Sequence, residues 1–243
     1  MPPIVVGHRG VSGHFPENTK VSIVAAIELG LKWIEVDIQP SKDDVLVVCH
    51  DHTVNRCSNG IGRIDDLTFD QLRKLDFGAW YGSRFSGEVI MSLSELLALA
   101  DTHKIGINIE IKIDRHNAAH VVALLKAQLE SSRHDKERLI FSSFDHNVMR
   151  QLYQQLNGYK LGVLSRRLRK ADQQLLNEID AFSCHLNFRW TTKRHVEMLH
   201  KSGYQVWCYT VNSPKRLAHL STLDAIFSDY PERFIHSALG RIG

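Results

Sequence analysis

The pattern of hydrophobic and polar positions changes its period repeatedly along the 243-residue chain. Short apolar runs rich in β-branched and aromatic residues predict buried strands, and the segments between them repeat their apolar residues at helical spacing. The predicted strands are at 4–8, 33–38, 106–112, 139–144, 160–164, 180–185, 204–211 and 224–229. The predicted helices are at 19–30, 92–103, 116–131, 145–157, 171–179, 191–202, 213–221 and 231–239.

Strict alternation of strands and helices predicts a parallel sheet, and eight such units predict a closed (β/α)8 barrel of the TIM type. Residues 45–50 fall outside the alternation, because the connection after residue 38 is too short for the crossover that a parallel neighbour needs. We therefore expect a hairpin whose turn lies at 41–44. Residues 52–91, with one amphipathic segment at 68–75, are expected to form a small insertion within a single domain spanning 1–243.

Composition narrows the class of protein. A net charge of +3 implies no general attraction to nucleic acid or to an anionic membrane. No run approaches the roughly 20 apolar residues of a membrane span, and the first ten residues do not resemble a signal peptide. The cysteines lack CxxC spacing, so we expect reduced, mostly buried thiols and a cytoplasmic location: Cys49, Cys57, Cys184 and Cys208. The sequence leaves the oligomeric state open.

Charged residues interrupt the apolar pattern at the ends of three predicted strands. His8 and Arg9 end the first strand, and the second carries Glu35 and Asp37, which lie two apart and so share one face. The hairpin returns to His50, and the third parallel strand carries Glu110 and Lys112. In such barrels the active site lies at the carboxyl ends of the strands, so we expect these side chains to meet.

Grouped carboxylates are costly to bury, by several kcal/mol per unpaired ion. A bound divalent cation removes that cost, and oxygen ligands favour Mg²⁺ or Ca²⁺ over zinc. Each residue alone also has a structural interpretation, as a rim charge, an ion pair or a packed core histidine. The coincidence at three separate strand ends favours a functional cluster.

A series of short motifs runs in order through nearly the whole chain. They are HRG at 8–10, PENT at 16–19, EVD at 35–37, HD at 50–51, RCSNGIG at 56–62, EIK at 110–112, YTVN at 209–212 and SDYP at 228–231. This set resembles the glycerophosphodiester phosphodiesterases, especially the compact bacterial cytoplasmic members. The resemblance implies a barrel that hydrolyses glycerophosphocholine, glycerophosphoethanolamine or related diesters to sn-glycerol 3-phosphate and an alcohol.

The resemblance also implies roles for residues of this sequence. It assigns a single divalent cation to three acids: Glu35, Asp37 and Glu110. It makes His8 and His50 the acid–base pair, and Arg9 and Lys112 the phosphate ligands. These residue types suit the chemistry, because histidine exchanges protons near neutral pH and cations offset the charge of a phosphodiester.

Other positions are weaker candidates for contact with substrate. Tyr209 stands where many members have tryptophan, and Trp207 lies two residues earlier on the same strand face, so both are candidates for the wall around the alcohol. The remaining candidates are Glu17, Asn18, Asp51, Asn212 and Asp229. The basic run at 166–170 is expected to be solvated surface.

Three other functions remain open from the sequence. The first is a phospholipase-like activity on a lysolipid, which would want an exposed apolar rim that we do not expect from 52–91. The second is a Schiff-base aldolase that uses Lys112. The third is a non-catalytic binder of glycerophosphodiesters, which would need no acid–base pair.

Overall fold

The computed structural model describes residues 2–131, 134–220 and 222–239. The strands are β1 Ile4–His8, β2 Trp33–Pro40, β3 Leu46–Val48, β4 Gly106–Ile111, β5 Leu139–Ser143, β6 Lys160–Ser165, β7 Ser183–Asn187, β8 Gln205–Tyr209 and β9 Ala225–Ser228. The α-helices are α1 Lys20–Glu28, α2 Phe69–Leu72, α3 Leu93–His103, α4 Ala118–Glu130, α5 His146–Gln155, α6 Lys170–Glu178, α7 Lys193–Lys201, α8 Pro214–Leu217 and α9 Glu232–Leu239.

Eight parallel strands close into a barrel, because β1 pairs with both β2 and β9. The predicted TIM barrel is therefore confirmed. The extra strand β3 runs antiparallel to the end of β2, with Val48 opposite Ile38. A turn in which the Asp44 amide donates to the Ser41 carbonyl at 3.1 Å joins the two strands, as the hairpin prediction requires.

Some predicted boundaries were wrong. Strand β7 begins three residues later than the predicted 180–185, because Asp180 adopts a left-handed conformation with φ 45° at the end of the preceding helix. The helix predicted at 213–221 is the single turn α8 followed by a 3-10 turn at Ala218–Leu220, and residue 221 lies outside the described residues. Met1 and residues 240–243 also lie outside them, so a single domain over 1–243 stays a prediction.

The barrel strands alternate between two environments. Ile107 and Ile109 of β4 point outward into the large core between strands and helices. Side chains of the opposite register fill the barrel, where Ile140, Trp207 and Phe227 form a separate apolar cluster. The interior thus has an apolar floor, and the polar residues of the same register lie above it, towards the carboxyl ends of the strands.

The insertion has a small core of its own. Buried residues of the insertion form one cluster with Val47 of β3 and with Cys49, which follows β3. The insertion residues of this cluster are Val54, Cys57, Ile64, Leu72, Phe77 and Ile90. Two apolar side chains of the insertion are exposed, Ile61 at 87% and Trp80 at 38%. All four cysteines are buried and free, as predicted. Within the described ranges, no helix has the length and apolarity needed to cross a membrane.

Candidate active site

Strand alternation brings three carboxylates to one point inside the barrel. Glu35 and Asp37 of β2 and Glu110 of β4 are buried, and one oxygen of each lies within 4.8 Å of the others. The parallel register explains the grouping, since Asp37 lies directly opposite Glu110. The predicted acidic cluster therefore exists as a geometric unit.

The electrostatics of this cluster suit a cation. Burial and the charge of Asp37 raise the pKa of Glu35 to about 8, and the same two causes raise the pKa of Glu110. The pKa of Asp37 is held below its usual value despite burial, chiefly by Lys112 and Arg9. Its Oδ1 atom is buried and forms an ion pair with Lys112 Nζ at 3.2 Å, but it accepts no well-aligned hydrogen bond from the described residues. This all-oxygen donor set fits a hard divalent ion such as Mg²⁺ or Ca²⁺.

His8 is held by a carboxylate from the far end of the chain. Its Nδ1 lies 2.6 Å from Asp229 Oδ1, and its Nε2 lies 3.7 Å from Glu35 Oε2. Asp229 also accepts hydrogen bonds from Asn212 Nδ2 at 2.7 Å and from Ser12 Oγ at 2.9 Å. Burial alone would lower the pKa of His8, but Glu35 and Asp229 outweigh it and the pKa is raised.

His50 has an equivalent partner. Its Nδ1 lies 2.7 Å from Asp51 Oδ1, and Arg56 of the insertion donates from Nε to Asp51 Oδ2 at 2.7 Å. Burial lowers the pKa of His50, and the nearby charges of Arg9 and Lys112 add to that effect. Both histidines therefore have Nδ1 engaged by a carboxylate, which leaves Nε2 as the nitrogen that can contact a substrate.

The two predicted phosphate ligands lie on either side of Asp37. Arg9 Nε is 3.2 Å from Asp37 Oδ2, and Lys112 Nζ is 3.2 Å from Asp37 Oδ1. Arg9 also donates from Nη1 to Glu17 at 2.7 Å, whereas Lys112 contacts Glu110. These carboxylates raise the pKa of both cations against the effect of burial. Both groups stay charged and can offset the charge of an anion.

Local backbone strain helps to orient two residues beside the carboxylate cluster. Arg9 and Asn18 adopt left-handed conformations with φ values of 52° and 59°. The Arg9 amide donates to Glu35 Oε2 at 3.1 Å, and Asn18 Nδ2 donates to Asp37 Oδ2 at 2.9 Å. Non-glycine residues with such conformations are uncommon, and here each one directs a donor at a buried carboxylate.

One cavity of about 420 Å³ opens over the cluster. Seven of the predicted site residues line it: His8, Arg9, Glu35, His50, Glu110, Lys112 and Tyr209. Asp37 lies buried beneath them. A larger cavity of about 550 Å³ lies beside α3 and the insertion, but its described lining residues include no histidine. The smaller cavity therefore holds the groups that can carry out acid–base chemistry on an anionic substrate.

The chain matches known proteins over nearly its full length. Residues 8–233 match the model of the glycerophosphoryl diester phosphodiesterase family. The chain belongs to that family. A glycerophosphodiester phosphodiesterase of Caldanaerobacter subterraneus subsp. tengcongensis is 34% identical over 97% of this chain and 98% of its own.

Solved structures agree with this family membership and with the predicted enzyme class. An Oleispira antarctica phosphodiesterase, solved with the product sn-glycerol-3-phosphate, superposes with a TM-score of 0.92 at 30% identity and covers 98% of this chain and 97% of its own. A glycerophosphodiester phosphodiesterase of Thermotoga maritima gives a TM-score of 0.77 at 27% identity, covering 98% and 99%. The resemblance inferred from the ordered motifs is confirmed, and the chain is a phosphodiesterase.

Within this phosphodiesterase, the two aromatic candidates have different surroundings. Tyr209 lines the cavity, and its hydroxyl donates to the Ser165 carbonyl at 3.1 Å. Trp207 is only 1% exposed, and its ring stacks on His185 with centroids 5.1 Å apart. Trp207 lies two residues before Tyr209 on β8, and therefore deeper in the barrel. Its side chain packs in the apolar floor and is not among the described residues that line the cavity.

Several residues at the phosphodiesterase site were missed or undervalued. Arg166 is exposed, as expected of solvated surface, but it also lines the cavity together with Asn108, Phe144 and Asn187. Asp229 was a weak candidate, yet it contacts a histidine directly. Asp229 was marked by the SDYP motif and by its place at the end of the last predicted strand, but 221 positions separate it from His8. For Arg166 the available signal was its place just after a predicted strand.

Proposed function

We propose that this chain hydrolyses glycerophosphodiesters, such as glycerophosphocholine and glycerophosphoethanolamine, to sn-glycerol 3-phosphate and an alcohol. One divalent cation, Mg²⁺ or Ca²⁺, would be held by Glu35, Asp37 and Glu110. The observation that carries the proposal is the juxtaposition, in one cavity, of a buried three-carboxylate cluster and two carboxylate-backed histidines. The product bound to the Oleispira antarctica relative supports the same substrate class.

Charge neutralisation comes from the chain and from the cation. A phosphodiester is anionic, and Arg9 and Lys112 are held charged beside the cavity. The guanidinium of Arg9 offers directed donors to phosphate oxygens, and Lys112 acts as a point charge. When bound, a divalent cation polarises a phosphoryl oxygen and orients the reacting group.

His8 and His50 would exchange the protons. One would take a proton from the attacking hydroxyl, and the other would give one to the leaving alkoxide. Asp229 would accept a hydrogen bond from Nδ1 of His8, and Asp51 one from Nδ1 of His50. These hydrogen bonds would select the tautomer of each histidine and leave its Nε2 for the substrate. The arrangement thus supplies two oriented proton carriers in one cavity.

The other functions find less support in the geometry. A Schiff-base aldolase needs a neutral amine, but Asp37 and Glu110 raise the pKa of Lys112. A mere binder would not need two histidines backed by carboxylates. A lysolipid substrate is the second candidate, because Trp80 and Phe144 are partly exposed. Turnover of lysophosphatidylcholine faster than that of glycerophosphocholine would favour it.

A coupled assay for released glycerol 3-phosphate tests the proposal. The enzyme is first treated with excess chelator and then supplied with Mg²⁺ or Ca²⁺. We expect the chelator to abolish turnover of glycerophosphoethanolamine and either cation to restore it. Full turnover in excess chelator would contradict the metal assignment, and no product under any condition would contradict the proposed reaction.

We also propose a location and a domain organisation for this chain. The chain would act in the cytoplasm, because its four free, buried thiols suit a reducing compartment. Residues 1–243 would form one domain, since the insertion core includes Val47 of the hairpin strand β3. Limited proteolysis would test the second statement, and early release of a stable 52–91 fragment would oppose it.

A further inference from the structure

A second cavity adjoins the first. It has a volume of about 240 Å³ and shares Phe144, Leu164 and Arg166 with the cavity over the carboxylate cluster. It lies where the residues after β5 and β6 meet the start of α6. The rest of its lining is His146, Ser165, Arg167, Arg169, Ala171 and Asp172. The two cavities together form one elongated site with a second compartment.

The charge of this second compartment is not balanced locally. Arg166, Arg167 and Arg169 are exposed, and among the described residues none of them has a carboxylate oxygen within 4.0 Å. The lining contains three arginines and one acid, Asp172, whose described hydrogen-bond partners are other groups than the guanidiniums. Asp172 accepts from Ser165 Oγ at 2.7 Å and from the Arg169 amide at 2.8 Å, and His146 Nε2 lies 2.9 Å away. The compartment therefore presents cationic side chains to whatever enters it.

Aromatic rings support two of these guanidinium groups. Arg167 Cζ lies 4.0 Å from the centre of the Trp190 ring, and Arg166 Cζ lies 6.0 Å from that of Phe144. An arginine stacked on an aromatic face keeps its N–H edges free for an anion, because the ring then contacts only the face of the guanidinium. These two side chains are thus partly pre-organised for a carboxylate or a phosphate.

Phe144 also connects the compartment with the reaction centre. Its ring centre is 5.9 Å from Lys112 Nζ and 6.0 Å from Arg166 Cζ, so these two cations are at most about 12 Å apart. Lys112 and Arg166 also line the same cavity. A diester whose phosphate lies beside Lys112 can therefore extend its headgroup towards Arg166.

We propose that the second compartment binds an anionic group, a carboxylate or a phosphate, on the alcohol moiety of the substrate. This inference rests on the phosphodiesterase function proposed above and names its preferred substrate class. Glycerophosphodiesters with an anionic headgroup gain a charge-assisted contact with Arg166 and Arg167. A choline headgroup gains none and meets charge of its own sign.

Glycerophosphoserine and glycerophosphoethanolamine provide the matched test, because they differ by a single carboxylate. We expect the wild-type enzyme to have the higher kcat/KM for glycerophosphoserine. The double variant Arg166→Gln/Arg167→Gln should lower that value about tenfold more than the value for glycerophosphoethanolamine, the scale of a lost charged hydrogen bond. Glycerophosphoglycerol with and without a terminal phosphate distinguishes phosphate from carboxylate recognition.

Lys170→Gln is the control. It removes one positive charge from the first residue of α6, directly after the arginine-bearing loop, but Lys170 is not among the described residues that line either cavity. We expect this variant to keep the wild-type ratio of the two kcat/KM values. An equal loss for both substrates in the double variant would overturn the inference, as would the same change of ratio in Lys170→Gln.

The inference can fail separately from the proposed function. If neither diester is hydrolysed in the presence of Mg²⁺ or Ca²⁺, the proposed function fails, and calorimetric binding of the same two compounds replaces turnover. Tighter binding of glycerophosphoserine that is lost in the double variant would still support the anion compartment. Equal binding would overturn it. Binding to phosphatidylserine vesicles that depends on the two arginines, with an unchanged substrate ratio, would also overturn it.

Discussion

Replacing Asp229 by asparagine tests whether His8 depends on its carboxylate partner. The carboxylate accepts from His8 and Ser12 through Oδ1 and from Asn212 through Oδ2. An asparagine of the same shape must point its NH₂ group at one of these donors. Asn212 cannot simply flip in response, because its Oδ1 accepts from Ser228 Oγ and from the backbone amide of residue 229.

The size of the effect follows from the loss of a charge-assisted hydrogen bond. Such a bond contributes about 1.5–3 kcal/mol, and each 1.36 kcal/mol changes a rate about tenfold. If Asp229 mainly orients His8 and supports its protonated form during reaction, kcat should fall about 10- to 150-fold. KM should change less than about threefold, because the carboxylate does not line the cavity and its effect appears chiefly in the transition state.

The assay measures glycerol 3-phosphate released from glycerophosphoethanolamine at saturating Mg²⁺. Asp224→Asn is a matched control, since Asp224 lies 2.8 Å from His200 Nε2 at the opposite end of β9. The control should keep the wild-type kcat even if it lowers the melting temperature. A folded Asp229→Asn enzyme with the wild-type kcat, or a control that loses as much activity, would refute the positioning role.

Four other outcomes follow from the same structure. His8→Ala and His50→Ala should each lower kcat about 10²- to 10⁴-fold, with smaller changes in KM, because acid–base groups act mainly in the transition state; near wild-type kcat in both would contradict the assignment. Arg9→Ala should raise KM as well, since it would remove the proposed contact with the phosphate in both ground and transition states. A substrate without the glycerol C2 hydroxyl should show no turnover if a cyclic phosphate forms, and normal turnover excludes that route. Trp207→Ala should destabilise the fold by about 3–5 kcal/mol in denaturant unfolding, the cost of an emptied core site, and a loss below 1 kcal/mol would place the ring elsewhere.

The local pattern of the chain was sufficient to predict the barrel and to mark the residues of the acidic cluster. The strand period of two puts Glu35 and Asp37 on one face whatever the rest of the fold does. The connection after β2 is too short for a crossover, so the hairpin also follows from local sequence. The prediction that Asp180 begins a strand was wrong, because the residue adopts a left-handed conformation after α6. That conformation depends on how the preceding helix packs, which the strand pattern does not reveal.

Depth along a strand and partners from distant segments could not be predicted in the same way. Trp207 and Tyr209 share a face, and only the stagger of the closed barrel decides that Tyr209 reaches the cavity while Trp207 packs in the floor. Arg166 belongs to a run of basic residues, and such a run is typical of solvated surface. Its position beside Phe144 arises because two neighbouring loops emerge from the same end of the barrel.

The sequence by itself determined the eightfold alternation, the interior face of each strand, and the residue types at the strand ends, because each of these depends on neighbours a few positions away. Only the tertiary structure decided which groups meet. Closure of β1 against β9 brings Asp229 to His8, and the folded insertion brings Arg56 to Asp51. Such contacts depend on the stagger of the whole barrel and on loop conformations, which no local period encodes.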